Sequence, residues 1–211
     1  MIEIRKIRKK DFNAARKFAV VGMHLNWYTN NELELYFYSK YFWYHEISRA
    51  TRALGAYMGD RLVGVLLADI KNEPPIFKSI WHKTYIKIAT FLMNLGYKDA
   101  TGPYDVANKE ILEEYTKNNT VDGEVIFFAV DPNIKGRGIG TLLMNELERL
   151  EKGKHIYLYT DTGCTYQFYT HRGFEEVGRR DISITNGKKE VSLTCLLFSK
   201  RLFNTNKLKS P

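Results

Sequence analysis

The stretch Glu124–Met144, EVIFFAVDPNIKGRGIGTLLM, decides the fold of this 211-residue chain. Its first part, Glu124–Val130, is almost entirely apolar and rich in β-branched and aromatic residues, which predicts a buried strand. Asp131-Pro132 ends that strand, because proline cannot donate a hydrogen bond to a sheet ladder. Apolar residues then recur at helical spacing from Ile139 onward. Lys135–Gly140 is therefore a glycine-rich turn between a strand and a helix.

This turn has the properties of an anion-binding site. Glycines lack a Cβ atom, so a ligand can approach the backbone closely. The N–H groups at the start of a helix attract negative charge, and Lys135 and Arg137 add positive charge beside them. A phosphate-bearing ligand is the prediction.

Two common phosphate-binding motifs fit the turn less well. A P-loop requires Gly-Lys-Ser/Thr, whereas Gly140 is followed by Thr141 and Leu142. A Rossmann turn has G-x-G-x-x-G directly after its strand. Here the spacing is G-x-G-x-G after a break that contains proline, although Asp161 lies at a suitable distance for the ribose-binding acid.

Composition limits the class of protein. Hydrophobic residues make up 44% and charged residues 27%, as in ordinary soluble globular domains. The net charge of +8 favours anionic ligands and keeps a nucleic-acid-binding module open as an alternative. We expect one domain over residues 1–199 and a solvated basic tail over residues 200–211.

Cysteine and histidine usage predicts neither a disulfide framework nor a metal site. Cys164 and Cys195 are the two cysteines, and the five histidines show no ligand spacing. We therefore expect a cytoplasmic protein without a metal. No signal peptide and no apolar run long enough for a membrane span are found, so we expect no membrane partner, while a homodimer remains possible.

Periodicity and turn signals predict the remaining elements. Asn31 with Glu34 is typical of a capping box, and the aromatic-rich helix after it is expected to pack in the core and line an acceptor pocket. Residues 71–120 are interpreted as a helical insertion within the domain. The predicted strands are 2–6, 54–58, 62–70, 124–130, 155–160, 174–184 and 189–198, and the predicted helices are 12–22, 31–50, 77–95, 106–118, 139–152 and 164–172.

A second stretch, Tyr166–Phe174 (YQFYTHRGF), leads to a family resemblance. Together with the glycine-rich turn it resembles the GNAT superfamily of acyl-CoA-dependent N-acyltransferases. That family has a strand ending in Val, often followed by Asp-Pro, and then Q/R-x-x-G-x-G/A at a helix start. Lys135 stands at the Gln or Arg position here. Phe168-Tyr169 and Gly173-Phe174 match the family's later F-Y-x-x-x-G-F motif, so the resemblance is close over residues 124–174.

The resemblance implies an α/β fold with a mixed, mostly antiparallel sheet, and acetyl-CoA as co-substrate. It also implies a set of residues that bind acetyl-CoA. Thr162 belongs to this set although Asn is common at its position in the family. The set is Phe128, Ala129, Val130, Lys135, Gly136, Arg137, Gly138, Ile139, Gly140, Thr141, Thr162, Phe168 and Tyr169.

The resemblance also implies roles for three residues in amine acetylation. An alkylammonium, with a pKa of about 10.4, must lose a proton before it attacks a thioester, and a carboxylate can accept that proton through a water molecule. The resemblance implies Glu124 for this role, with a plain surface carboxylate as the alternative. It also implies that the Val130 N–H stabilises the developing oxyanion. Tyr169 is implied to assist the leaving thiolate, with core packing as the alternative.

We therefore expect an enzyme that moves an acetyl group from acetyl-CoA to a primary amine by direct attack. Cys164 has no histidine tied to it by spacing, so a covalent route is not favoured. The acceptor is a small molecule or a peptide that the sequence does not specify. Two alternatives remain: a GNAT-like domain that binds acyl-CoA without catalysis, and a nucleic-acid-binding module whose affinity falls steeply with salt.

Overall fold

The computed structural model describes residues 1–23, 25, 31–96, 102–134, 136–186 and 189–203. Within these residues, seven strands form one mixed sheet, which six helices accompany. The strands are β1 (Ile2–Lys6), β2 (Arg52–Met58), β3 (Arg61–Ile70), β4 (Gly123–Val130), β5 (His155–Asp161), β6 (Glu175–Asn186) and β7 (Lys189–Arg201). The helices are α1 (Phe12–Gly22), α2 (Glu32–Arg49), α3 (Ile80–Gly96), α4 (Pro103–Thr116), α5 (Ile139–Leu150) and α6 (Gln167–His171).

The strand order is β1-β2-β3-β4-β5-β7-β6, and β4 and β5 are the one parallel pair in this described sheet. The expected α/β fold with a mostly antiparallel sheet is confirmed. Helix α5 connects β4 to β5, as the predicted strand–helix–strand unit requires. Strand β7 lies between β5 and β6, an order that the sequence pattern did not indicate.

Local signals account for the helix starts in the N-terminal half. The Oδ1 atom of Asn31 accepts hydrogen bonds from the N–H groups of Leu33 (2.9 Å) and Glu34 (3.3 Å), so Asn31 caps α2. Asp11 precedes α1 but makes no side-chain cap. Its carboxylate instead accepts hydrogen bonds from Arg8 and from the Tyr57 hydroxyl, because these groups lie beside it in the folded chain.

The two insertion helices differ most from expectation. Helix α3 begins at Ile80 instead of residue 77, and α4 covers Pro103–Thr116 instead of 106–118. Trp81 and Phe91 on α3 are 69% and 63% exposed, although large apolar side chains of a helix usually pack against a neighbouring element. Helix α3 contacts α2 through His82 and Tyr85, whose ring centroids lie 4.1 Å and 5.2 Å from that of Tyr44, and these contacts leave Trp81 and Phe91 uncovered.

Smaller differences occur near the C-terminus. Helix α6 has five residues because a turn, in which the Cys164 N–H donates to the Asp161 carbonyl, precedes it. Strand β7 extends to Arg201, so Lys200 belongs to the sheet, where it pairs with Glu148 at 2.7 Å. The described residues do not include residues 187–188 between the last two strands, the tail residues 204–211 or the link residues 26–30.

The sheet has a hydrophobic cluster on each face. One cluster joins β2, β3 and β4 to α1 and α2, with Trp43 and Phe127 in edge contact at 5.7 Å. The other joins the opposite face to α5 through Ile139, Leu143 and Leu147. Both faces of β4 are thereby packed, and α5 follows β4 after the glycine-rich turn.

Close packing of α4 against β6 gives a stability prediction. A Cβ atom on Gly178 would lie 2.2 Å from Ile111 Cγ2, so Gly178→Ala forces the helix and the strand apart. We expect a loss of about 1–3 kcal/mol in the free energy of unfolding, measured by urea denaturation. In an Ile111→Ala background, which lacks Cγ2, the same substitution should cost less. Equal costs in both backgrounds would show that this contact does not limit the packing.

Candidate active site

The parallel strands β4 and β5 pair over only a short distance. Their register covers Gly123 opposite Ile156 and Glu124 opposite Tyr157. Beyond that point the strands separate, and Val125–Val130 and Tyr159–Asp161 line a cavity of about 1450 Å³. This volume exceeds that of typical single-ligand pockets, which are roughly 300–1,000 Å³, so the cavity can hold two substrates.

Backbone hydrogen bonding shows where the free edge of β4 points. The Asp131 N–H donates to the Val63 carbonyl of β3 at 2.9 Å, in register with Gly64 opposite Val130. Opposed residues in antiparallel strands alternate between hydrogen-bonded and non-hydrogen-bonded pairs. The N–H groups of Phe128 and Val130 therefore point away from β3, toward the edge from which β5 has separated.

The glycine-rich turn closes one end of the cavity. Gly136 and Gly138 have φ angles of +71° and +64°, which glycine adopts with little strain. The first intrahelical bond of α5 runs from the Leu142 N–H to the Gly138 carbonyl. The N–H groups of the first turn, up to Thr141, have no intrahelical acceptor. Free N–H groups at the N-terminus of a helix attract anions.

Gly140 is required for a different reason. A Cβ atom there would lie 3.1 Å from the Phe128 ring and 3.4 Å from the Phe168 ring. These two rings have centroids 5.4 Å apart and both line the cavity. The third glycine thus lets the start of α5 pack directly on the aromatic residues of the two motifs.

Asp131 shapes the turn that follows β4. It is 5% exposed, and its carboxylate pairs with Arg61 at 2.5 Å and accepts hydrogen bonds from the backbone and side chain of Asn133 at 3.0 Å. Burial raises the pKa of Asp131, but the hydrogen bonds from Asn133 and Arg61 outweigh it and lower the pKa below its ordinary value. The Asp-Pro element therefore has a structural role.

Tyr169 is held by a set of aromatic rings. Its ring centroid lies within 6.2 Å of four others, those of Phe128, Phe168, Phe174 and Phe198. The residue lines the cavity, and burial raises the pKa of its hydroxyl well above the ordinary value. The hydroxyl therefore stays protonated at neutral pH, as a hydrogen-bond or proton donor must.

Glu124 has a different environment from the other predicted catalytic residues. Its carboxylate receives hydrogen bonds from Arg49 Nη1 (3.0 Å) and Nη2 (3.3 Å) and from the Tyr157 hydroxyl (3.3 Å). With 15% of its side chain exposed, it is not a surface carboxylate. Glu124 does not line the cavity directly. Its partner Tyr157 contacts Tyr159, with ring centroids 5.5 Å apart, and Tyr159 lines the cavity.

The structure brings most of the predicted acetyl-CoA-binding residues into one cavity wall. Thr162 is separate: its N–H donates to the Thr194 carbonyl and its Oγ1 accepts from the Thr194 N–H, which ties it to β7. Lys135 lies outside the described residues. The residues in the wall are Phe128, Ala129, Val130, Gly136, Arg137, Gly138, Ile139, Gly140, Thr141, Phe168 and Tyr169.

Helices α2, α3 and α4 supply cavity residues that motif analysis did not identify. Tyr38, Tyr41, Phe42 and His45 come from one face of α2, and Asp105 comes from the first turn of α4. The aromatic residues of α2 were expected to line a pocket, and Tyr38, Tyr41 and Phe42 line this cavity. His45 and Asp105 carried no motif, so only the arrangement of the helices reveals them.

Cys164 lines the cavity but lacks the properties of a nucleophile. Burial, with the nearby Asp161 carboxylate, raises the pKa of its thiol to about 11. The thiol is therefore protonated at neutral pH, and a thiolate is the reactive form. Among the described residues, no three His, Cys, Asp or Glu side chains form a possible metal site, and no helix is long and apolar enough to cross a membrane.

Sequence and structure comparisons point to one family. A family model described as an acetyltransferase (GNAT) domain matches residues 106–176, which contain both motifs. A search of curated proteins found no match. Among solved structures, an agmatine N-acetyltransferase is similar with a TM-score of 0.59 and 13% identity, over 94% of this chain and 99% of that one.

Two further structures share the fold. NAA60 from Arabidopsis thaliana, solved with a bisubstrate analogue, has a TM-score of 0.56 and 16% identity over 95% of this chain and 97% of that one. The PaiA N-acetyltransferase from Thermoplasma acidophilum, solved with coenzyme A, has a TM-score of 0.53 and 17% identity over 95% and 99%. The chain thus resembles the acetyltransferase (GNAT) domain family over residues 106–176 and shares the fold of these N-acetyltransferase structures.

Proposed function

We propose that this protein transfers the acetyl group of acetyl-CoA to a primary amine by direct attack of the amine nitrogen on the thioester carbonyl. The observation that carries the proposal is the single cavity that joins the separated strands β4 and β5 to the glycine-rich turn. A new C–N bond forms and the C–S bond breaks. The ammonium proton leaves through a base, and the thiolate takes up a proton.

The cavity wall fits acetyl-CoA at both ends. The N–H groups of the first turn of α5, with Arg137 beside them, suit the pyrophosphate. The outward N–H groups of β4 suit the amide carbonyls of the pantetheine arm, which can extend alongside the strand as a further strand would. The N–H of Val130, at the end of this edge, is the proposed donor to the oxyanion.

A cytoplasmic location, the absence of a metal and the possibility of a homodimer remain parts of the proposal that rest on sequence. Small-molecule and peptide amines both remain candidates for the acceptor. A nucleic-acid-binding module is the less favoured alternative, because the cavity and the matched family motifs account for the glycine-rich turn without it.

Glu124 is the proposed base, acting through a water molecule. Glu124→Gln keeps the side-chain shape and removes the proton acceptor, so we expect kcat/KM for the amine to fall about 10²-fold. Asp69→Asn is a matched control, because Asp69 lies opposite Glu124 in the sheet and also pairs with Arg49, at 3.6 Å. A Glu124→Gln variant as active as this control would assign Glu124 to the Arg49 ion pair alone.

The proposed function is tested by turnover of acetyl-CoA over a panel of amines, followed by release of the free thiol. Acetylated amine identified by mass spectrometry is the expected result. Tight acetyl-CoA binding without turnover on any amine would instead favour a non-catalytic acyl-CoA-binding domain. Salt-dependent binding to nucleic acid with no affinity for CoA would favour the nucleic-acid alternative.

A further inference from the structure

Part of the cavity wall belongs to α2, α3 and α4 and lies outside the family motifs. Tyr38 and Tyr41 have stacked rings 6.5 Å apart, and Tyr41 stacks with His45 at 6.2 Å. Apolar side chains, including Ile88 and Leu92, extend this wall. Such a surface suits a ligand with an alkyl body, and the faces of aromatic rings also attract cations.

Four of the described carboxylates line the cavity. Glu34 is exposed and Glu46 is paired with Arg49, whereas Asp105 and Asp161 lie close to each other in this apolar and aromatic wall. They lie where α4 meets the end of β5, since the Tyr104 hydroxyl, next to Asp105 in the chain, donates to Asp161 Oδ2 at 3.3 Å. The Gly163 N–H donates to Asp161 Oδ1 at 2.8 Å. Among the described basic side chains, His45 is the one that acts on Asp105, and its Nδ1 is already bonded to Glu46 at 2.9 Å.

The buried carboxylates of the described structure have a different environment from Asp105 and Asp161. The four that are buried are each ion-paired with arginine or lysine: Glu46 with Arg49, Asp131 with Arg61, Glu148 with Arg172 and Lys200, and Glu151 with Arg52 and Lys154. This is the usual solution, because withdrawing a charge from water is costly without a partner. Asp105 and Asp161 form no ion pair with any arginine or lysine among the described residues. Asp105 is exposed and Asp161 is partly buried, so a cationic ligand can reach both.

The electrostatic effects of these carboxylates agree with their position. Partial burial raises the pKa of Asp105, and the nearby His45 offsets this only in part. Burial raises the pKa of the Cys195 thiol to about 12, with Asp161 and Asp105 both contributing. Both carboxylates therefore lie close enough to Cys195 to raise the pKa of its thiol. A position in the first turn of α4 explains a carboxylate at residue 105, but not why it faces a cavity.

We infer that the acceptor carries a second cationic group, separated from the reactive amine by an apolar spacer, and that Asp105, with Asp161 beside it, binds this group. This inference rests on the proposed function, because it names the substrate class of the same site. The second ammonium does not react; it remains charged and holds the acceptor so that the other amine reaches the thioester. Monoamines of equal length lack this anchor.

Binding is tested first, independently of turnover. The protein is loaded with CoA and titrated calorimetrically with cadaverine and with hexylamine, in which a methyl group replaces one amine. Putrescine with pentylamine, and hexamethylenediamine with heptylamine, vary the spacer. A hydrogen-bonded charge pair is expected to make the best diamine bind about 10- to 100-fold more tightly than its monoamine. Equal affinities at every spacer length would overturn the inference.

The residue assignment is tested with Asp105→Asn, which keeps the shape and removes the charge. We expect the preference for the diamine to fall to about threefold or less, while the affinity for the monoamine is unchanged. Glu113→Gln is the matched control, an exposed carboxylate on the same helix that pairs with Lys109 at 3.8 Å. A diamine preference that survives in Asp105→Asn would exclude Asp105 as the anchor.

Turnover separates failure of this inference from failure of the proposed function. Selective binding of diamines without acetylation of any amine would refute the proposed activity and leave the anchor intact. Acetylation of monoamines and diamines with equal kcat/KM, unaffected by Asp105→Asn, would refute the anchor and leave the activity intact. Acetylation with a preference for diamines that Asp105→Asn abolishes is the expected outcome.

Discussion

Tyr169→Phe should lower kcat by about 10²–10⁴-fold, the range typical of general acid catalysis, with little change in KM for acetyl-CoA. The leaving thiolate needs a proton or a hydrogen bond. Tyr169 lines the cavity, and burial raises the pKa of its hydroxyl, which therefore stays protonated. The substitution removes only this hydroxyl. The ring keeps its four aromatic neighbours, so the fold and the acetyl-CoA site should be preserved.

Single-turnover kinetics with a working amine are the appropriate measurement, because slow product release would hide a change in the chemical step. Tyr166→Phe is the matched control: it lies three residues earlier, packs at the edge of the same hydrophobic cluster and does not line the cavity. Its rate should equal that of the wild type. If Tyr169→Phe also reacts at the wild-type rate, Tyr169 is a packing residue and solvent protonates the thiolate.

The second large effect is expected at Gly138, where CoA affinity should fall about 10²–10³-fold in Gly138→Asp. The new carboxylate would lie where the first turn of α5 is proposed to bind the pyrophosphate. A Cβ atom at this position meets no atom within 4 Å, so sterics alone do not oppose the substitution. The φ angle of +64° is a conformation that aspartate and asparagine tolerate better than most residues.

Gly138→Asn makes this test specific for charge. Asparagine has the same size and nearly the same backbone cost as aspartate but is neutral, so we expect it to weaken CoA binding by about tenfold or less. Isothermal titration calorimetry gives both affinities, and circular dichroism checks the fold. If both variants, correctly folded, bind CoA equally well, the turn is not the site of the pyrophosphate.

The strand, turn and helix over residues 124–150 could be predicted because their causes are local. A run of β-branched and aromatic residues favours β4, Pro132 ends it, and two glycines adopt the positive φ angles that the turn needs. The parallel pairing of β4 and β5 follows from the short helical connection. The motifs in the same stretch predicted most residues of the glycine-rich end of the cavity.

Exposure and position in the sheet could not be predicted in the same way. Periodicity identifies which residues of a helix are apolar, but the neighbouring element decides which of them are covered. Trp81 and Phe91 are exposed because α3 contacts α2 through His82 and Tyr85 instead. Strand β7 lies between β5 and β6 because of long-range pairing, which leaves no local signal in the sequence.

The electrostatics of the site also depend on residues far apart in the chain. Glu124 could be identified as a carboxylate at a strand end, but the ion pair that restrains it comes from Arg49, 75 residues away. His45 and Asp105 belong to separate helices and face one cavity only after α2 and α4 have packed against the sheet. The sequence therefore determined the strand, the turn and the motifs, whose conformations depend on neighbouring residues. Tertiary packing decided which charges are paired and which face the cavity, because charge pairing depends on distances that only the folded chain sets.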